Sequence, residues 1–307
     1  MELSHHSQRL MGCTVSISLA HPEATRILEQ SFARLWIFEQ TFSANSPHSQ
    51  LALIQRAAGL EPVEVDSQLF ELIAIGKAQS LEPNSHLNIA IGPLVQTWRI
   101  GFSDAKLPSQ AEIDQALTLV NPHFIELDEK RKTVFLAKQG MKIDLGALAK
   151  GYAADLIAEQ LRQEGVKNAL INLGGNVLTL GHNPSTNQAW KIGIQHPEKT
   201  RGEHLALLPA MDQSIVTSGI YERKLNIGGQ TYHHILDDKT GYPIQSEVAS
   251  LTILSKTSLE GEIWTTRLFG HSIDTILDQI ERQEGLEALL IDRENQLYAS
   301  SGLPLTL

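Results

Sequence analysis

The sequence predicts an α+β fold, with one domain over residues 1–307 in which mixed β-sheets are flanked by helices. The first observation is a series of alternating apolar and polar stretches typical of half-buried strands. The second is a set of longer stretches with apolar residues at helical spacing. The third is the absence of any low-complexity linker or short repeat, which favours one domain over several joined by linkers.

The N-terminal part of the chain predicts a strand, two helices and the start of a third helix. The elements are a strand at residues 12–20, a helix at 23–42, a turn at 43–50 and a helix at 67–81. Further on, Ser109 is followed three residues later by Glu112. This pattern is a capping box, in which each side chain accepts a hydrogen bond from the other residue's backbone N–H, so it predicts a helix start.

Residues 142–156, KIDLGALAKGYAADL, predict a buried strand that passes through glycines into a helix. Gly165 is expected to end that helix, because glycine is common just past a helix C-terminus. The remaining predicted elements are a strand broken by a double glycine at 168–181, strands at 189–196 and 205–211, a hairpin at 221–236, a strand at 249–256, helices at 258–272 and 272–285, and a hairpin at 287–300.

Composition and charge exclude several classes of protein. With 42% hydrophobic and 20% charged residues, the chain is expected to be globular rather than disordered. The net charge of −10, without a basic cluster, argues against a nucleic-acid-binding surface. The single cysteine, Cys13, allows neither an intramolecular disulfide nor a multi-cysteine zinc site.

The N-terminus resembles a lipoprotein cleavage site only at LMGC, residues 10–13. The preceding MELSHHSQR is polar, whereas a signal peptide needs an apolar run of roughly 7 to 15 residues, so we expect the start of a first strand here. No stretch approaches the roughly 18 apolar residues of a membrane span. We therefore expect a soluble, cytoplasmic protein, while an export signal already removed from the chain would leave no trace in it.

The junction between the predicted strand and helix in residues 142–156 has the features of an anion site. Lys150 stands beside Gly151 where the helix begins, and backbone N–H groups at a helix start attract anions. Asp144, at the strand end, can accept hydrogen bonds from a ligand. The pattern is neither a P-loop nor a dinucleotide fingerprint, and a tight connection made by Gly146 and Gly151 with a solvated lysine explains it equally well.

Two further stretches combine small residues with groups that could take part in chemistry. The double glycine of NLGGN and the TSG at residues 217–219 permit close approach of backbone to a ligand, although each alone is more often a turn. In HHILDDKTGYP, His233 and His234 fall on opposite faces of a strand, so only one faces a cleft. The dense turn that follows favours an acid–base role for one of them.

The stretch EIWTT places Glu262, Thr265 and Thr266 on one face of a predicted helix, because residues three and four apart are neighbours there. One carboxylate and two hydroxyls are hard oxygen ligands suited to Mg²⁺ that shares its coordination shell with substrate phosphates. They are too few to enclose a metal alone. A capped helix with a solvated glutamate remains the alternative.

Taken together and in order, these pieces resemble the ApbE-like family, the FAD:protein FMN transferases. The matching segments are LMGCTVSI, FSANSPHSQL, LNIAIGPLVQTWRIGF, KIDLGALAKGYAADLIAEQL, ALINLGGNV, WKIGIQHP, IVTSGIYER, YHHILDDKTGYPI and SLEGEIWTTRLF. They extend from about Met11 to Phe269, nearly the whole chain. The resemblance implies an α+β fold with FAD in a central cleft and Mg²⁺ on its pyrophosphate.

The resemblance also implies an activity and a set of site residues. Enzymes of this family split FAD, release AMP and attach FMN by a phosphoester to a threonine or serine of a target protein, so the implied partners are FAD and an acceptor protein. By resemblance, the catalytic residue that activates the acceptor hydroxyl is His234, and His233 is its outward neighbour. The implied residues that contact FAD are Met11, Asn45, His86, Leu87, Asn88, Asp144, Lys150 and Thr217, and those at the metal are Ala147, Glu262, Thr265 and Thr266.

The sequence departs from the family pattern at several positions. Glu262 stands where aspartate is usual, which lengthens the ligand arm by one methylene at a metal with strict geometry. Asn88 stands where aspartate is common, and Asn45 replaces a frequent aromatic residue that can stack on adenine. Thr265 occupies a variable position, and Cys13 replaces a common threonine. We regard Cys13 as a packing residue.

These departures leave three hypotheses. The first, which we favour, is a working flavin transferase. The second is an FAD pyrophosphatase that releases FMN and AMP because FAD or the acceptor is held too weakly. The third is a flavin-binding or carrier protein without turnover.

Overall fold

The computed structural model describes residues 2–200 and 202–303. The strands are β1 (Ser4–Leu10), β2 (Cys13–Leu19), β3 (Val63–Glu64), β4 (Ile125–Asp128), β5 (Thr133–Leu136), β6 (Ala169–Leu173), β7 (Asn176–Leu180), β8 (Trp190–Gln195), β9 (His204–Ala210), β10 (Ser214–Gly219), β11 (Lys224–Ile227), β12 (Gln230–His233), β13 (Val248–Ser255), β14 (Glu287–Asp292) and β15 (Leu297–Ala299). The helices are α1 (Ala24–Phe42), α2 (Gln50–Arg56), α3 (Ser67–Ser80), α4 (Gly92–Trp98), α5 (Gln110–Leu117), α6 (Ala149–Gln163), α7 (Ser258–Leu268) and α8 (Ile273–Glu281), with short 3₁₀ helices at Ile89–Ile91 and Pro122–Phe124.

The central element is an antiparallel sheet of eight strands in the order β1-β2-β6-β7-β10-β13-β14-β15. The described residues also form three smaller antiparallel sheets: one is formed by β11 and β12, one by β8 and β9, and one by β3, β5 and β4. Helices α6 and α7 pack against the central sheet and against each other. The prediction of an α+β fold is confirmed.

Strand β13 shows how the central sheet is covered on both faces. Ile253 packs in a cluster with residues of α7 and α8, such as Leu268 and Ile276. The next residue, Leu254, packs with Trp190 and Leu208 of the β8–β9 hairpin. Side chains alternate between the faces of a strand, so helices cover one face and this hairpin covers the other.

The strand register gathers several turns at one end of the central sheet. Val15 of β2 pairs with Leu173 of β6, and Ile215 of β10 pairs with Val177 of β7. The turn at residues 11–12, the turn at 174–175 and the C-terminal end of β10 therefore lie at the same sheet end. A Cβ atom on Gly174 would lie 2.7 Å from Cys13 Sγ, so two of these turns are in direct contact.

Many predicted elements are confirmed. The capping box at Ser109 and Glu112 begins α5, and Gly165 follows the last turn of α6 in a left-handed conformation, with φ +80°. The double glycine of NLGGN makes the turn between β6 and β7, and the hairpins predicted at 221–236 and 287–300 are present.

Two local predictions are wrong. Residues 142–145 are extended but form no strand, because only single hydrogen bonds hold them, such as that from Asp144 N to Ile89 O at 2.8 Å. The TSG at 217–219 is not a turn but the end of β10, which is hydrogen-bonded to β13 through this whole stretch.

In the described ranges, residues 2–200 and 202–303, no helix is both long enough and apolar enough to cross a membrane.

Candidate active site

The most strongly connected part of the predicted site is the carboxylate of Glu262 on α7. Its side chain is 5% exposed, and its Oε1 accepts a hydrogen bond from Lys150 Nζ at 2.8 Å. The same oxygen accepts a hydrogen bond from Asn176 Nδ2. Since both bonds from the described residues end on Oε1, the second carboxylate oxygen, Oε2, is left for another partner.

Gly151 allows α6 and α7 to approach closely enough for this contact. A Cβ atom on Gly151 would lie 2.6 Å from the carbonyl oxygen of Ser258 and 2.8 Å from Glu262 Cγ, so only glycine fits there. The start of α7 is also tied to α6, because the carboxylate of Asp155 accepts backbone N–H bonds from Ser258 and Leu259. These contacts fix Glu262 beside Lys150.

The predicted metal residues differ in how their oxygens are placed. Lys150 Nζ also donates to the carbonyl of Gly146 at 3.2 Å, which brings the turn containing Ala147 next to the Glu262 pair. Thr266 is partly exposed and lies one helical turn after Glu262. Thr265 is fully buried and donates its hydroxyl to the Glu262 carbonyl, so it serves the helix itself.

The described residues contain no group of three or more His, Cys, Asp or Glu side chains placed to hold a metal ion. Residues 2–200 and 202–303 therefore contain no set of carboxylates that could enclose a metal ion alone. One carboxylate oxygen, a hydroxyl and a backbone carbonyl remain, which fits Mg²⁺, since this ion commonly takes one or two protein carboxylates together with water and substrate phosphates.

Asp144 is held by its own turn. Its Oδ1 accepts a hydrogen bond from Gly146 N at 2.7 Å. Burial raises the pKa of Asp144, and the hydrogen bond and the nearby charges of Arg223 and Lys150 act in the opposite direction. Asp144 is therefore a partly buried acceptor in a cationic environment.

His234 follows β12 and is partly buried. Burial, with smaller contributions from the positive charges of Arg223, His233 and Lys150, lowers the pKa of His234 to about 3, while an interaction with the Arg223 backbone opposes the shift. Its Nδ1 is buried and has no hydrogen-bond partner among the described residues. At neutral pH the ring is uncharged and can accept a proton.

The prediction that His233 is an outward neighbour is wrong. His233 is 7% exposed, and its Nε2 lies 3.0 Å from the carbonyl oxygen of Ile244. Its Nδ1 accepts a hydrogen bond from Ile235 N at 3.3 Å. Both ring nitrogens are engaged by backbone, so His233 braces the turn after β12 and has no nitrogen left for chemistry.

The buried His233 makes stability depend on pH. Burial lowers the pKa of His233 to about 4, below the ordinary value of 6.5. The unfolded chain therefore binds the proton more readily between pH 4 and 6.5, and the stability that neutral His233 contributes above pH 6.5 is lost as the pH falls through this window. We expect the difference in unfolding free energy between wild type and His233→Gln to shrink by up to about 1.4 kcal/mol per pH unit there.

Urea unfolding of both proteins between pH 7 and pH 4.5 measures this difference directly. The comparison cancels the contribution of groups that titrate alike in both proteins, including Asp155, whose pKa burial raises to about 6 and whose effect has the opposite sign. A difference that is constant with pH would contradict the prediction.

The predicted residues His86, Leu87 and Asn88 form a segment that links the other parts of the site. His86 N donates to the carbonyl of Arg267 near the end of α7 at 3.1 Å, and the His86 ring packs against Gly270 and His271. Burial, with the nearby His271, lowers the pKa of His86. Leu87 is 1% exposed, so its side chain belongs to the core and only its backbone could meet a ligand.

The amide of Asn88 is fully used. Its Nδ2 donates to Asp238 Oδ2 at 2.6 Å and to the Val120 carbonyl at 2.8 Å, and its Oδ1 accepts from Ala90 N at 2.8 Å. An aspartate at this position would have no donor for Asp238 or for the carbonyl. The asparagine that departs from the family pattern at position 88 thus supplies a hydrogen-bond donor to Asp238, which lies in the turn that follows His234.

We expect Asn88→Asp to lower the unfolding free energy at pH 7 by about 2 to 3 kcal/mol, because it removes two donors and sets two carboxylates against each other. The double variant Asn88→Asp with Asp238→Asn should recover part of the lost unfolding free energy, because the amide at position 238 can then donate to the carboxylate at position 88. Chemical unfolding of the single and double variants measures both effects. Equal stability of the two would show that the pair does not act as proposed.

Met11 and Thr217 form hydrogen bonds with residues outside the Glu262 cluster. Met11 occupies the turn between β1 and β2 with φ +52°, and its N–H donates to Glu39 Oε1 at 3.0 Å. Thr217 bonds to the hydroxyl of Thr252 at 2.8 Å. It shares its strand face with Ile215, which packs under the β8–β9 hairpin, so its side chain lies on the opposite sheet face from α7.

Two cavities border the contact between Asn45 and Gln96. The larger, about 480 Å³, is lined by parts of α4 and α5, and the smaller, about 240 Å³, by Asn45, Arg56 and their neighbours. Lys142 lines both. Asn45 is exposed and accepts a hydrogen bond from Gln96 at 3.3 Å, whereas Lys150, His234 and Glu262 line neither cavity.

Three residues of the site were not singled out from the sequence. Asn176 holds Glu262, Asp238 holds Asn88, and Arg223 adds its charge beside Asp144 and His234. Asn176 gave a usable signal, because it is a polar residue in a strand that is otherwise apolar or small and directly follows the double glycine. Nothing local marks Asp238 or Arg223.

Comparison with known proteins places the chain in a family. The model of the ApbE family matches residues 11–290. The chain is 40% identical over 297 residues to a protein of Klebsiella pneumoniae (strain 342) named FAD:protein FMN transferase, covering 96% of this chain and 91% of that protein. It is 32% identical over 305 residues to a Treponema pallidum (strain Nichols) protein of the same name, covering 95% and 84%.

Its fold matches the crystal structure of the ApbE protein from Thermotoga maritima with a TM-score of 0.89 and 26% identity, over 98% of this chain and 97% of that one. The family model covers most of the chain, and the two curated relatives extend over nearly all of it. The chain belongs to the ApbE family.

Proposed function

We propose that this protein transfers FMN from FAD to a threonine or serine hydroxyl of a target protein and releases AMP. The hydroxyl oxygen forms a bond to the phosphorus of the FMN half. The bond from that phosphorus to the bridging oxygen breaks, and AMP leaves with that oxygen. The single observation that carries the proposal is the uncharged His234 with a free, buried Nδ1 in a cationic setting, in a member of this family.

His234 is the proposed proton acceptor. A neutral imidazole nitrogen without a partner is available for the proton that the attacking hydroxyl gives up. Burial is the main cause of the lowered pKa of His234, and the charges of Arg223 and Lys150 add to it, so an anionic substrate beside these two residues would offset their part of the shift. We therefore expect His234 to become a stronger base when FAD is bound.

The proposed FAD contacts are the residues implied by the family resemblance. Lys150 bonds directly to Glu262, and its charge acts on Asp144 and His234. The segment of His86, Leu87 and Asn88 bonds to α7 through the Arg267 carbonyl and to the turn after His234 through Asp238. Contacts from Met11, Asn45 and Thr217 would come from the turn beside the sheet end, the smaller cavity and the end of β10.

We propose that Glu262 Oε2, the Thr266 hydroxyl and the Ala147 carbonyl hold Mg²⁺. Thr265 is left out of this set, because its hydroxyl is donated to the helix and is fully buried. When bound, Mg²⁺ neutralises charge on the pyrophosphate. Lys150 and Asn176 keep the Glu262 carboxylate in place for this role.

The test is chromatography of reactions that contain the purified protein, FAD and Mg²⁺. They are run with and without EDTA and with and without a peptide that presents a threonine in the acceptor motif of the family. Equimolar AMP and flavinylated peptide, both abolished by EDTA, are expected. AMP with free FMN, regardless of peptide, would replace the proposal with FAD pyrophosphatase activity. Intact FAD under every condition would leave a flavin-binding protein.

A further inference from the structure

Arg223 lies in the connection between β10 and β11, and its side chain packs against a glycine, Gly101. A Cβ atom on Gly101 would lie 2.7 Å from Arg223 Cδ and 3.2 Å from Arg223 Cγ. The aliphatic part of the arginine therefore rests directly on the Gly101 backbone. Gly101 has φ +92°, a conformation that favours glycine, so the surface under Arg223 is built for close approach.

Arg223 lies across from His234, because Lys224 pairs with His233 in the β11–β12 hairpin. It is the largest favourable charge acting on Asp144 and the largest repulsive charge acting on His234. In both cases its influence exceeds that of Lys150. Arg223 is therefore the cation with the stronger influence on both Asp144 and His234.

The two cations of the site differ in the partners that their side chains bind. Lys150 Nζ is bound to Glu262 and to the Gly146 carbonyl. Arg223 is exposed, and its guanidinium forms no ion pair and no hydrogen bond with residues 2–200 or 202–303. An arginine fork without a partner, next to a proton acceptor, suits a phosphate, because guanidinium donors match two phosphate oxygens at once.

We propose that the Arg223 guanidinium binds the phosphoryl group of FAD that is transferred, next to the proton acceptor His234, and that Gly101 positions it. This inference rests on the transfer reaction proposed above. In that reaction the acceptor oxygen attacks the phosphorus, the proton passes to His234 and AMP departs, while Arg223 holds the two non-bridging oxygens. Its donors interact with these oxygens most strongly as negative charge builds up on them.

The experiment compares wild type with Arg223→Gln, Arg223→Lys and the control Arg131→Gln. Arg131 is exposed in the turn between β4 and β5, so the control removes the same charge from the surface without touching the site. We expect Arg223→Gln to lower the rate of AMP release at saturating FAD by about 100- to 1,000-fold, with partial recovery in Arg223→Lys. Arg131→Gln should behave as wild type.

Two measurements are independent of turnover. Calorimetric titration with ADP, which has the pyrophosphate, and with riboflavin, which has no phosphate, should show roughly 10- to 100-fold weaker ADP binding in Arg223→Gln and unchanged riboflavin binding. NMR of the His234 ring in FAD-free protein should show its pKa raised by the loss of Arg223. Neither change is expected in Arg131→Gln.

The outcomes separate this inference from the proposed function. If wild type releases AMP and Arg223→Gln matches Arg131→Gln in rate and ADP affinity, the role of Arg223 is wrong while the transfer reaction stands. If wild type releases no AMP but Arg223→Gln still weakens ADP binding selectively, the reaction is wrong and the phosphate contact stands. Equal loss of ADP and riboflavin binding would mean that Arg223 only maintains the local structure, which overturns the inference.

Discussion

Replacement of His234 by alanine is expected to lower the rate of AMP release from FAD by about 100- to 10,000-fold, the usual contribution of a positioned general base. The reason is that His234 Nδ1 is buried, uncharged and without a partner among the described residues, so its loss removes the proton acceptor. FAD binding, measured by fluorescence quenching, should change little, because the ring carries no charge toward the substrate at neutral pH.

The neighbouring histidine is the matched control. In His233→Gln both backbone contacts of the ring are altered, so we expect a loss of about 1 to 3 kcal/mol in unfolding free energy and near-normal turnover per folded molecule. His234→Ala is thus expected to lose activity, whereas His233→Gln is expected to lose stability. Loss of activity in His233→Gln with retention in His234→Ala would reverse the assignment.

Replacement of Glu262 by alanine is expected to remove Mg²⁺ binding and to lower the unfolding free energy by about 2 to 3 kcal/mol. The second effect arises because Lys150 Nζ and Asn176 Nδ2 both lose their acceptor on a carboxylate that is only 5% exposed. This loss is smaller than that expected for a fully buried pair, because Lys150 is 24% exposed and water can reach it. Calorimetric titration with Mg²⁺ in the presence of FAD, and chemical unfolding, measure the two effects.

Glutamine at position 262 separates the two roles. Its side-chain oxygen can still accept from Lys150 and Asn176, so most of the stability should remain. Its second group is an amide NH₂ rather than an oxygen, so Mg²⁺ affinity should fall as in Glu262→Ala. Unchanged Mg²⁺ affinity in Glu262→Gln would exclude Glu262 as the ligand and leave it a purely structural anchor.

The parts of the fold predicted from sequence are those with a strong local pattern. Helices α1 and α3 are long and periodic, and β2 alternates over its full length. The sequence pattern does not predict strand β1, because SHHSQRL is almost entirely polar and this strand forms only by pairing with β2 at the sheet edge. Helices α2 and α4, with seven residues each, are too short to show a period.

The sequence predicts only those residues of the candidate site that belong to a recognisable local motif. Lys150, His234 and Glu262 each stand in a recognisable stretch, but their partners come from far along the chain. Asn176 lies 86 residues from Glu262, and Asp238 lies 150 residues from Asn88. No local pattern encodes such pairs, so the misplacement of His233 and the omission of Arg223 both reflect contacts that exist only after folding.

The order of strands in the central sheet has a consequence for synthesis of the protein. The β1–β2 hairpin ends at Leu19, while β6, which pairs along the other edge of β2, begins at Ala169. At about 5 to 20 residues per second, a ribosome needs on the order of 10 to 30 seconds to make the chain between them. During that interval the backbone N–H and C=O groups along this edge of β2 have no strand to pair with, so the nascent chain is most prone to aggregate before its middle has emerged.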